Sequence, residues 1–422
     1  MDLAPLFFAL LLLAACRPLA PPATTIRVLV DLKEQVDLDR LELRGGRRER
    51  GEQVIAALAG LARRSQERLR PLLEDARLVR SWQGFTIVNR LFVEATPAGI
   101  EALKARPEVA SVVPEMELPE PALMGEPSGD GRRSRAVDAV GAPAAWAQGL
   151  DGTGVVVGVI DSGASAVHEQ LAAGFRGGEG SWSDPDSGSA EPKDTRFGHG
   201  TGVLSVAVGR NVAGITPGIA PGASWIACAA LPRGRYNNVL ATRCADWMLN
   251  VGRPDVLVAA WVLPTPGCDR SLQRIVDAWR AAGILALFPA GNHGPGERTD
   301  RSPANYESSL SVGGTAYEKT SRGPSACGGG AFPRLTAPAE GLIAAFPLGR
   351  ATYRNAEGTS FAAGIAGGAA AILVQSRPEA LVPELERALG SGALDIPEAL
   401  ARLSGSARAP GSAAREARGC PW

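Results

Sequence analysis

The segment Val155–Ile160 contains only valine, isoleucine and one glycine. A strand without polar alternation is typical of a parallel sheet that is buried on both faces. Parallel strands need crossover connections, and residues 136–403 alternate apolar strand-like runs with helical ones. The sequence therefore predicts an α/β fold over residues 136–403, with a doubly wound and mainly parallel sheet.

Three polar residues lie in glycine-rich motifs where this fold places functional sites. Asp161 directly follows the buried strand, at the sheet edge where open α/β folds bind ligands. Taken alone, Asp-Ser-Gly is equally consistent with an ordinary turn after a strand. His199 lies in the motif Phe-Gly-His-Gly-Thr, ahead of an apolar run that predicts a buried helix. Ser360 precedes an Ala/Gly-rich segment that ends at Ser376, which places it at a helix amino terminus, where serine is also an ordinary N-cap.

These three residue types together carry a known chemistry. A serine hydroxyl is a poor nucleophile until an imidazole takes its proton, and the imidazole needs a carboxylate to fix its tautomer. The amino terminus of a helix favours a developing oxyanion. The sequence thus predicts a hydrolase in which Asp161 orients His199, His199 is the general base and Ser360 is the nucleophile.

The order Asp, His, Ser and the residues around them resemble the subtilisin-like serine proteases, in which the triad occurs in this order. Further similar stretches are Gly-Ile-Ala-Pro-Gly-Ala at 218–223, Ser-Arg-Gly-Pro at 321–324 and Thr-Ala-Pro at 336–338. The stretches FRGGEG, KDTRFGHGT and WIACAALPRGRYNNVLATRCADWML look most like the bacillopeptidase F-like branch. The resemblance implies a serine endopeptidase that acts on proteins or peptides.

The resemblance also assigns an oxyanion donor. Pro-Ala-Gly-Asn at 289–292 follows the apolar strand-like run Ile284–Phe288 and matches the family's Ala-Gly-Asn element. The Asn292 side chain would then donate to the tetrahedral intermediate together with the backbone N–H of Ser360. The usual proline four residues after the nucleophile is Gly364 here, which costs about 1 kcal/mol of helix stability relative to alanine.

Five residues are assigned to substrate binding by the same resemblance: Ala260, Trp261, Val262, Ala290 and Gly291. The first three continue a predicted strand, Val256–Leu263, and stand where the family has Ser-Trp-Gly or Ser-Leu-Gly. Val262 adds a branched side chain, and Pro264 removes a backbone donor. We therefore expect a narrowed pocket that prefers a small residue, such as alanine or glycine, before the scissile bond.

The amino-terminal residues predict export. Leu6–Ala15 is apolar but too short to span a bilayer as a helix, and it ends in Leu-Ala-Ala-Cys. This looks like a lipobox, with residues 1–15 as a lipoprotein-type signal peptide, Cys16 as the lipidated residue and residues 16–24 as a tether. Asp2 and the lack of Lys or Arg before the apolar run leave ordinary signal cleavage as the alternative. Both routes predict a protein of the cell envelope, lipid-anchored in the periplasm or outer membrane, or an extracellular protein after processing.

Residues 25–118 show a β-α-β-β-α-β pattern, in which the first helix is predicted around residues 52–75. The pattern is similar to a ferredoxin-like fold and, in this position, to the inhibitory propeptides of subtilases. An unrelated accessory domain is the alternative. Residues 119–135 are rich in proline, glycine and charge, which predicts an exposed linker in which maturation occurs. Residues 404–422 are small and polar, and we expect a flexible tail.

Cysteines, charge and histidines limit the partners. The resemblance implies that Cys228 pairs with Cys244, and we expect Cys268 to pair with Cys327. The sequence has no close cluster of Cys and His residues, so we expect no catalytic metal or other cofactor. Structural calcium is common in the family, but no clear series of oxygen ligands in the sequence supports it. The formal net charge of zero gives no bias toward binding nucleic acid. We also expect a monomer, which would contact a membrane only through its lipid anchor. We expect His168 and His293 to be structural or surface residues.

Two functions therefore follow from the sequence. The first is an exported endopeptidase made as a zymogen, with its own propeptide as an intramolecular inhibitor. The alternative is a catalytically weak or inactive subtilase-fold protein that serves as a binding or scaffold module, because the substrate strand is altered. The presence of all four polar positions favours the enzyme, since a binder has no chemical need for that set.

Overall fold

The computed structural model describes residues 24–119 and 135–405, apart from residues 213, 216 and 217. The predicted signal peptide, the lipidated Cys16, nearly all of the tether and linker and most of the carboxyl-terminal tail lie outside the described residues. Those predictions therefore stay predictions.

The amino-terminal part is a small α+β unit with an antiparallel sheet in the order β2-β3-β1-β4. This is the strand order of a ferredoxin-like fold, as the sequence pattern predicted. One helix differs, since the predicted helix at 52–75 begins earlier and is interrupted after Glu67. The elements are β1 (Ile26–Leu32), α1 (Arg47–Glu67), α2 (Arg70–Leu73), β2 (Val79–Phe85), β3 (Arg90–Ala95), α3 (Pro97–Lys104) and β4 (Val109–Pro114).

The second part contains a sheet of eight described strands, in the order β16-β13-β12-β11-β10-β6-β8-β7. Each of its strand pairs is parallel, which confirms the predicted α/β class. Its elements, with the short strands that precede and flank it, are β5 (Glu117–Pro119), α4 (Ala136–Ala139), α5 (Ala142–Trp146), β6 (Val156–Asp161), β7 (Trp182–Ser183), α6 (His199–Val208), β8 (Ser224–Ala229), β9 (Arg235–Asn237), α7 (Asn238–Trp247), β10 (Val256–Ala259), α8 (Gln273–Ala281), β11 (Leu285–Pro289), β12 (Leu310–Thr315), β13 (Leu335–Pro338), β14 (Leu342–Phe346), β15 (Thr352–Ala356), α9 (Thr359–Ser376), α10 (Val382–Leu389), β16 (Gly392–Ala393) and α11 (Ile396–Gly405).

Both faces of the central strands are buried, because helices cover each of them. In β10, Val256 and Val258 pack into the layer formed by α6 and α9. Leu257 and Ala259 pack into the opposite layer, formed by α7 and α8. Side chains alternate across a strand, so a strand that is buried on both faces needs an apolar residue at every position. This explains the unbroken apolar runs in the sequence.

The helices α6 and α9 approach each other very closely. A Cβ atom at Gly364 would lie 2.8 Å from the backbone oxygen of Val203, and one at Gly368 would lie 2.6 Å from that of Ala207. Side chains at these two positions would push the helices apart. The glycine at position 364 therefore offsets its cost in helix propensity by permitting close packing.

One strand prediction was too long. The predicted strand at 256–263 ends at Ala259, because its ladders with β6 and β11 reach only Ala259 and Val258. The following residues leave the sheet, and the N–H of Leu263 donates to the carbonyl of Ser302 at 2.7 Å. Residues 260–263 therefore form an irregular segment beyond the carboxyl end of the strand, and it begins with a tight turn in which the N–H of Trp261 donates to the carbonyl of Ala259 at 2.9 Å.

Two disulfides join the elements around the sheet. Cys228 of β8 is bonded to Cys244 of α7, and Cys268 is bonded to Cys327. Both are the expected pairs. Within the described residues α9 is long and apolar enough to cross a membrane, but 89% of it is buried inside the protein, as in a core helix.

Candidate active site

Asp161 and His199 meet where β6 ends and α6 begins. The Nδ1 atom of His199 lies 2.9 Å from each carboxylate oxygen of Asp161, which is fully buried and also accepts from the N–H of Ser162 at 2.6 Å. A Cβ atom at Gly200 would lie 2.1 Å from the carbonyl oxygen of Gly163, so only glycine permits this approach. Because Nδ1 carries the proton shared with the carboxylate, Nε2 is the basic nitrogen of the ring.

Ser360 is the second residue of α9 and is buried. Its hydroxyl donates to the carbonyl oxygen of Ala260 at 3.2 Å. The neighbouring Phe361 ring packs edge-on against the His199 ring, with 5.6 Å between the ring centres. The starts of α6 and α9 therefore lie together, and they bring the imidazole and the serine to one place.

Asn292 follows β11 and has a fixed orientation. Its Oδ1 atom accepts from both the N–H of Thr359 at 2.9 Å and the hydroxyl of Thr359 at 3.0 Å. The amide NH2 group lies beside Gly358, directly before α9, with Nδ2 3.3 Å from the point where a Cβ atom on that glycine would be. Thr359 also accepts from the N–H of Gly291 at 3.1 Å, so this threonine holds the whole loop. Sequence reasoning identified Asn292 but missed Thr359.

The five expected substrate-binding residues lie on two segments that continue neighbouring strands. Ala260, Trp261 and Val262 follow β10, and Ala290 and Gly291 follow β11. The first segment contacts Ser360 through the carbonyl of Ala260, and the second contacts Thr359 through Gly291. The structure thus brings all five to the carboxyl end of the sheet, beside the serine.

A second carboxylate, Asp194, supports the Asp–His pair and was missed from the sequence. It accepts from the Ser162 hydroxyl at 2.8 Å and from the N–H and hydroxyl of Thr201 at 2.8 and 2.6 Å. Burial raises the pKa of Asp194 and these hydrogen bonds oppose that rise, while the charge of Asp161 adds to it. An aspartate five residues before the histidine was the available signal, but its partners come from the loop after β6 and the first turn of α6.

The other two histidines differ from each other. His168 is buried, with Nε2 at 2.9 Å from the carbonyl of Thr352 and Nδ1 accepting from the N–H of Gln170 at 3.3 Å. Burial lowers the pKa of His168, in keeping with a neutral structural ring. His293 is half-buried and follows Asn292 directly.

No group of three His, Cys, Asp or Glu side chains in the described part of the chain could hold a metal ion. The prediction that the protein needs no cofactor remains untested.

Comparison with known proteins agrees with this arrangement. A model of the subtilase family matches residues 152–405. The chain is 31% identical to Bacillopeptidase F of Bacillus subtilis (strain 168) over 351 residues, which cover 73% of this chain and 24% of that protein. It therefore spans about a quarter of the length of that relative.

Two shorter relatives are covered more fully. The chain is 30% identical to an alkaline protease of Alkalihalobacillus alcalophilus over 300 residues, which cover 70% of this chain and 71% of that protein. It is 31% identical to Subtilisin Savinase of Lederbergia lenta over 248 residues, which cover 57% of this chain and 84% of that protein. The residues that the family model matches, 152–405, include both strand ends and both helix starts that form the site.

Replacement of Asp194 by asparagine tests its positioning of the candidate site. Every group that faces this carboxylate is a donor, so an amide NH2 would oppose a donor and leave hydrogen bonds unmade. We expect kcat for peptide cleavage to fall about 10- to 100-fold with little change in KM. Asp186→Asn, an exposed aspartate of the same loop, is the matched control. Equal kinetics for the two variants would contradict the positioning role.

Proposed function

The chain belongs to the subtilase family, and we propose that it is an exported serine endopeptidase made as a zymogen. The observation that supports this most directly is the meeting of a buried Asp161–His199 pair, Ser360 and Asn292 at the carboxyl end of one parallel sheet. Asp161 accepts from Nδ1 of His199, and the oxygen of Asn292 is held by Thr359, contacts that suit the proposed roles of these two side chains.

Acylation uses the first three residues. Asp161 holds the Nδ1 proton of His199 and stabilises the imidazolium that forms, and Nε2 takes the proton of the Ser360 hydroxyl as its oxygen attacks the peptide carbonyl. His199 then gives this proton to the departing amine, which breaks the peptide bond and leaves an acyl ester on Ser360. Water attacks the ester by the same route in reverse and frees the enzyme.

Charge that develops on the carbonyl oxygen needs donors that are already in place. The Nδ2 group of Asn292 and the backbone N–H of Ser360, at the start of α9, are the proposed donors. Asn292 cannot rotate freely, because Thr359 holds its oxygen through two hydrogen bonds. The donors therefore need little reorganisation during the reaction.

The amino-terminal unit is the proposed intramolecular inhibitor. The short strand that follows this unit, β5, pairs antiparallel with β9, with Glu117 opposite Asn237 and Pro119 opposite Arg235. Tyr236 of β9 packs against the ring of Trp261, 5.2 Å between centres, so this pairing lies next to the substrate-binding segment. An extended chain that leaves the amino-terminal unit here runs beside the cleft as a substrate would, which supports inhibition until the linker at 119–135 is cut.

We further propose that the protein leaves the cytoplasm through its amino-terminal signal, with lipidation at Cys16, and works as a monomer on protein or peptide substrates. Two disulfides support an oxidising location, since such bonds persist mainly outside the cytoplasm.

A serine-directed fluorophosphonate tests the reaction in the full-length secreted chain. We expect the wild type to be labelled and cut within the linker, and both events to be lost in Ser360→Ala because the nucleophile is gone. Labelling gels and intact mass measured on the same samples report the two events. Ser376→Ala, at the far end of the same helix, is the matched control and should behave as the wild type.

A wild-type chain that never reacts, even after limited removal of the amino-terminal unit, would contradict the proposal and favour the binding or scaffold function. Labelling without linker cleavage would keep the peptidase and contradict self-processing.

Replacement of Asn292 by alanine tests the oxyanion donor separately. Loss of one such donor costs about 100- to 1000-fold in kcat, a magnitude that was established on subtilisin itself. We expect a loss of this size in kcat with KM nearly unchanged, because the donor acts on the transition state. Asn355→Ala, an exposed residue of β15, serves as the control. A loss confined to KM would show that Asn292 binds substrate only.

A further inference from the structure

The first half of α1 does not pack into the amino-terminal unit. The buried core of that unit consists of its strands with residues of α2, α3 and the neighbouring turns, and it contains no residue of α1 among the described residues. Val54 and Leu58 of α1 instead belong to one buried cluster with Ile275 and Trp279 of α8. The apolar face of this half of the helix therefore completes the core of the peptidase domain.

An ion pair fastens the start of the same helix. Arg47 is almost fully buried, and its Nη2 atom lies 2.7 Å from Oδ1 of Asp255. The remaining guanidinium donors reach the carbonyls of Gly283 at 2.9 Å and Pro378 at 3.1 Å. All three partners belong to the peptidase domain, and the other carboxylate oxygen of Asp255 accepts from the N–H of Val156 at 3.0 Å.

A second contact involves the turn between β2 and β3. The carboxylate of Asp246 accepts from the N–H of Thr86 at 2.7 Å and from the N–H of Ile87 at 2.9 Å. Asn250 donates to the Thr86 hydroxyl at 2.8 Å. Charged hydrogen bonds of this kind to a partner's backbone give strong and specific docking.

The ion pair and the inhibitory strand lie at opposite ends of the sheet. Asp255 precedes β10 and contacts the first residue of β6, whereas Asp161 is the last residue of β6. Five residue steps of about 3.3 Å separate the two ends of this strand by about 17 Å. The cleft can therefore be cleared of β5 without opening the Arg47 contact.

We propose that the amino-terminal unit stays attached after the linker is cut, so that the mature enzyme is a complex of two chains clamped through α1. The inference rests on the proposed zymogen but concerns docking rather than catalysis. Activation then requires the departure of β5 from the cleft, and not the release of residues 25–118.

The test uses a full-length Ser360→Ala chain with a cleavage site for a specific added protease between residues 120 and 134. The nucleophile is absent, so the result does not depend on the proposed activity. We expect the two fragments to elute together in gel filtration after cutting. Arg47→Ala should speed their dissociation at least about 30-fold, because it leaves the buried carboxylate of Asp255 with only the exposed Arg48, 3.8 Å away, as counter-charge.

Arg63→Ala, an exposed arginine of the same helix, is the control and should dissociate as the parent does. Amide hydrogen exchange measured on the cut parent complex is a second test that needs no further variant. The backbone amides of α1 around Val54–Leu58 should stay as protected from exchange as in the uncut chain. Separation of the parent fragments, loss of that protection or equal dissociation of the two arginine variants would overturn the clamp.

A different observation concerns the side chain that precedes the scissile bond. The segments 260–264 and 290–293 continue the adjacent parallel strands β10 and β11. The first meets the Ser360 hydroxyl, and the second carries Asn292. A carbonyl held between Ser360 and Asn292 places its residue's side chain in the crevice between these two segments.

Two basic side chains lie at this crevice, and each retains a buried nitrogen without a hydrogen-bond partner in the described chain. These atoms are Nδ1 of His293 and Nε of Arg301. The Nη1 atom of Arg301 donates to the carbonyl of Pro264. Nδ1 of His293 lies close to Gly291, 3.2 Å from the point where a Cβ atom on that glycine would be. Burial and the charge of Arg301 both lower the pKa of His293, so its neutral ring can carry the proton on Nδ1.

The acidic neighbour on the same loop has its own partners. Asp300 is buried, and its Oδ2 atom accepts from Asn305 and from the N–H of Ala326, each at 2.8 Å. Asp300 therefore does not accept a hydrogen bond from Nε of Arg301 or from Nδ1 of His293. Buried donors of this kind are rare in folded proteins, and the carboxylate of a bound substrate is one partner that would satisfy both of them.

The geometry points to an acidic side chain, aspartate or glutamate, as the preferred residue before the scissile bond. The expectation of a small residue considered Val262 and Pro264 alone. Arg301 adds a positive charge that favours a carboxylate, and the neutral His293 ring adds a hydrogen-bond donor. This inference rests on the proposed peptidase function and names its substrate class.

Peptides that differ only at this residue test the preference, with kcat/KM normalised to active sites that are titrated with fluorophosphonate. We expect kcat/KM to be at least about 10-fold higher for the Asp peptide than for the Asn peptide, and for the Glu peptide than for the Gln peptide. Only the charged member of each pair accepts charge-assisted hydrogen bonds. Arg301→Gln should remove most of this discrimination, and Arg298→Gln, exposed on the same loop, should leave it unchanged. Preference for alanine or leucine, or a ratio unaffected by Arg301→Gln, would overturn the inference while the peptidase stands. Failure to label would overturn both.

Discussion

The close packing of α6 against α9 is the constraint on which the site depends. One helix begins with His199 and the other with Thr359–Ser360, so the separation of the helix starts sets the distance between base and nucleophile. Small residues make the approach possible, since a Cβ atom at Gly364 would meet the backbone of α6. Protein interiors are packed too densely to absorb such a shift locally. A methyl group added near the middle of α9 would therefore be felt at its amino terminus, in the chemistry.

A network of buried hydrogen bonds positions the start of α6. Asp161 holds the imidazole, Ser162 links the loop after β6 to Asp194, and Asp194 accepts both polar groups of Thr201 in the first turn of the helix. Two carboxylates so close together repel each other and cost desolvation, which is why each accepts several hydrogen bonds. The gain is orientation, because the ring cannot turn without breaking the hydrogen bond between its Nδ1 atom and Asp161.

Local pattern predicted the elements whose burial is uniform. The strand at β6 and the apolar helices α6 and α9 were recognised because every position is apolar or small, and the candidate triad follows from their ends. Asp194 was missed because its importance lies in partners that are distant in sequence or hidden in turn chemistry. The end of β10 was placed four residues too late, since its ladder stops where neighbouring strands stop. The face of α1 was recognisable as apolar, but an amphipathic pattern does not say which core it completes.

The sheet divides its two ends between different tasks. At the amino end, backbone N–H groups at the strand starts need acceptors, and Asp255 satisfies one of them while it binds Arg47. At the carboxyl end, the strands diverge into loops that carry the polar groups of the site. A parallel sheet keeps these ends rigidly apart, since its central strands are hydrogen-bonded along their length. Contacts that stabilise the domain can therefore persist at one end while the occupant of the cleft changes at the other, so a segment that assists folding need not block the site.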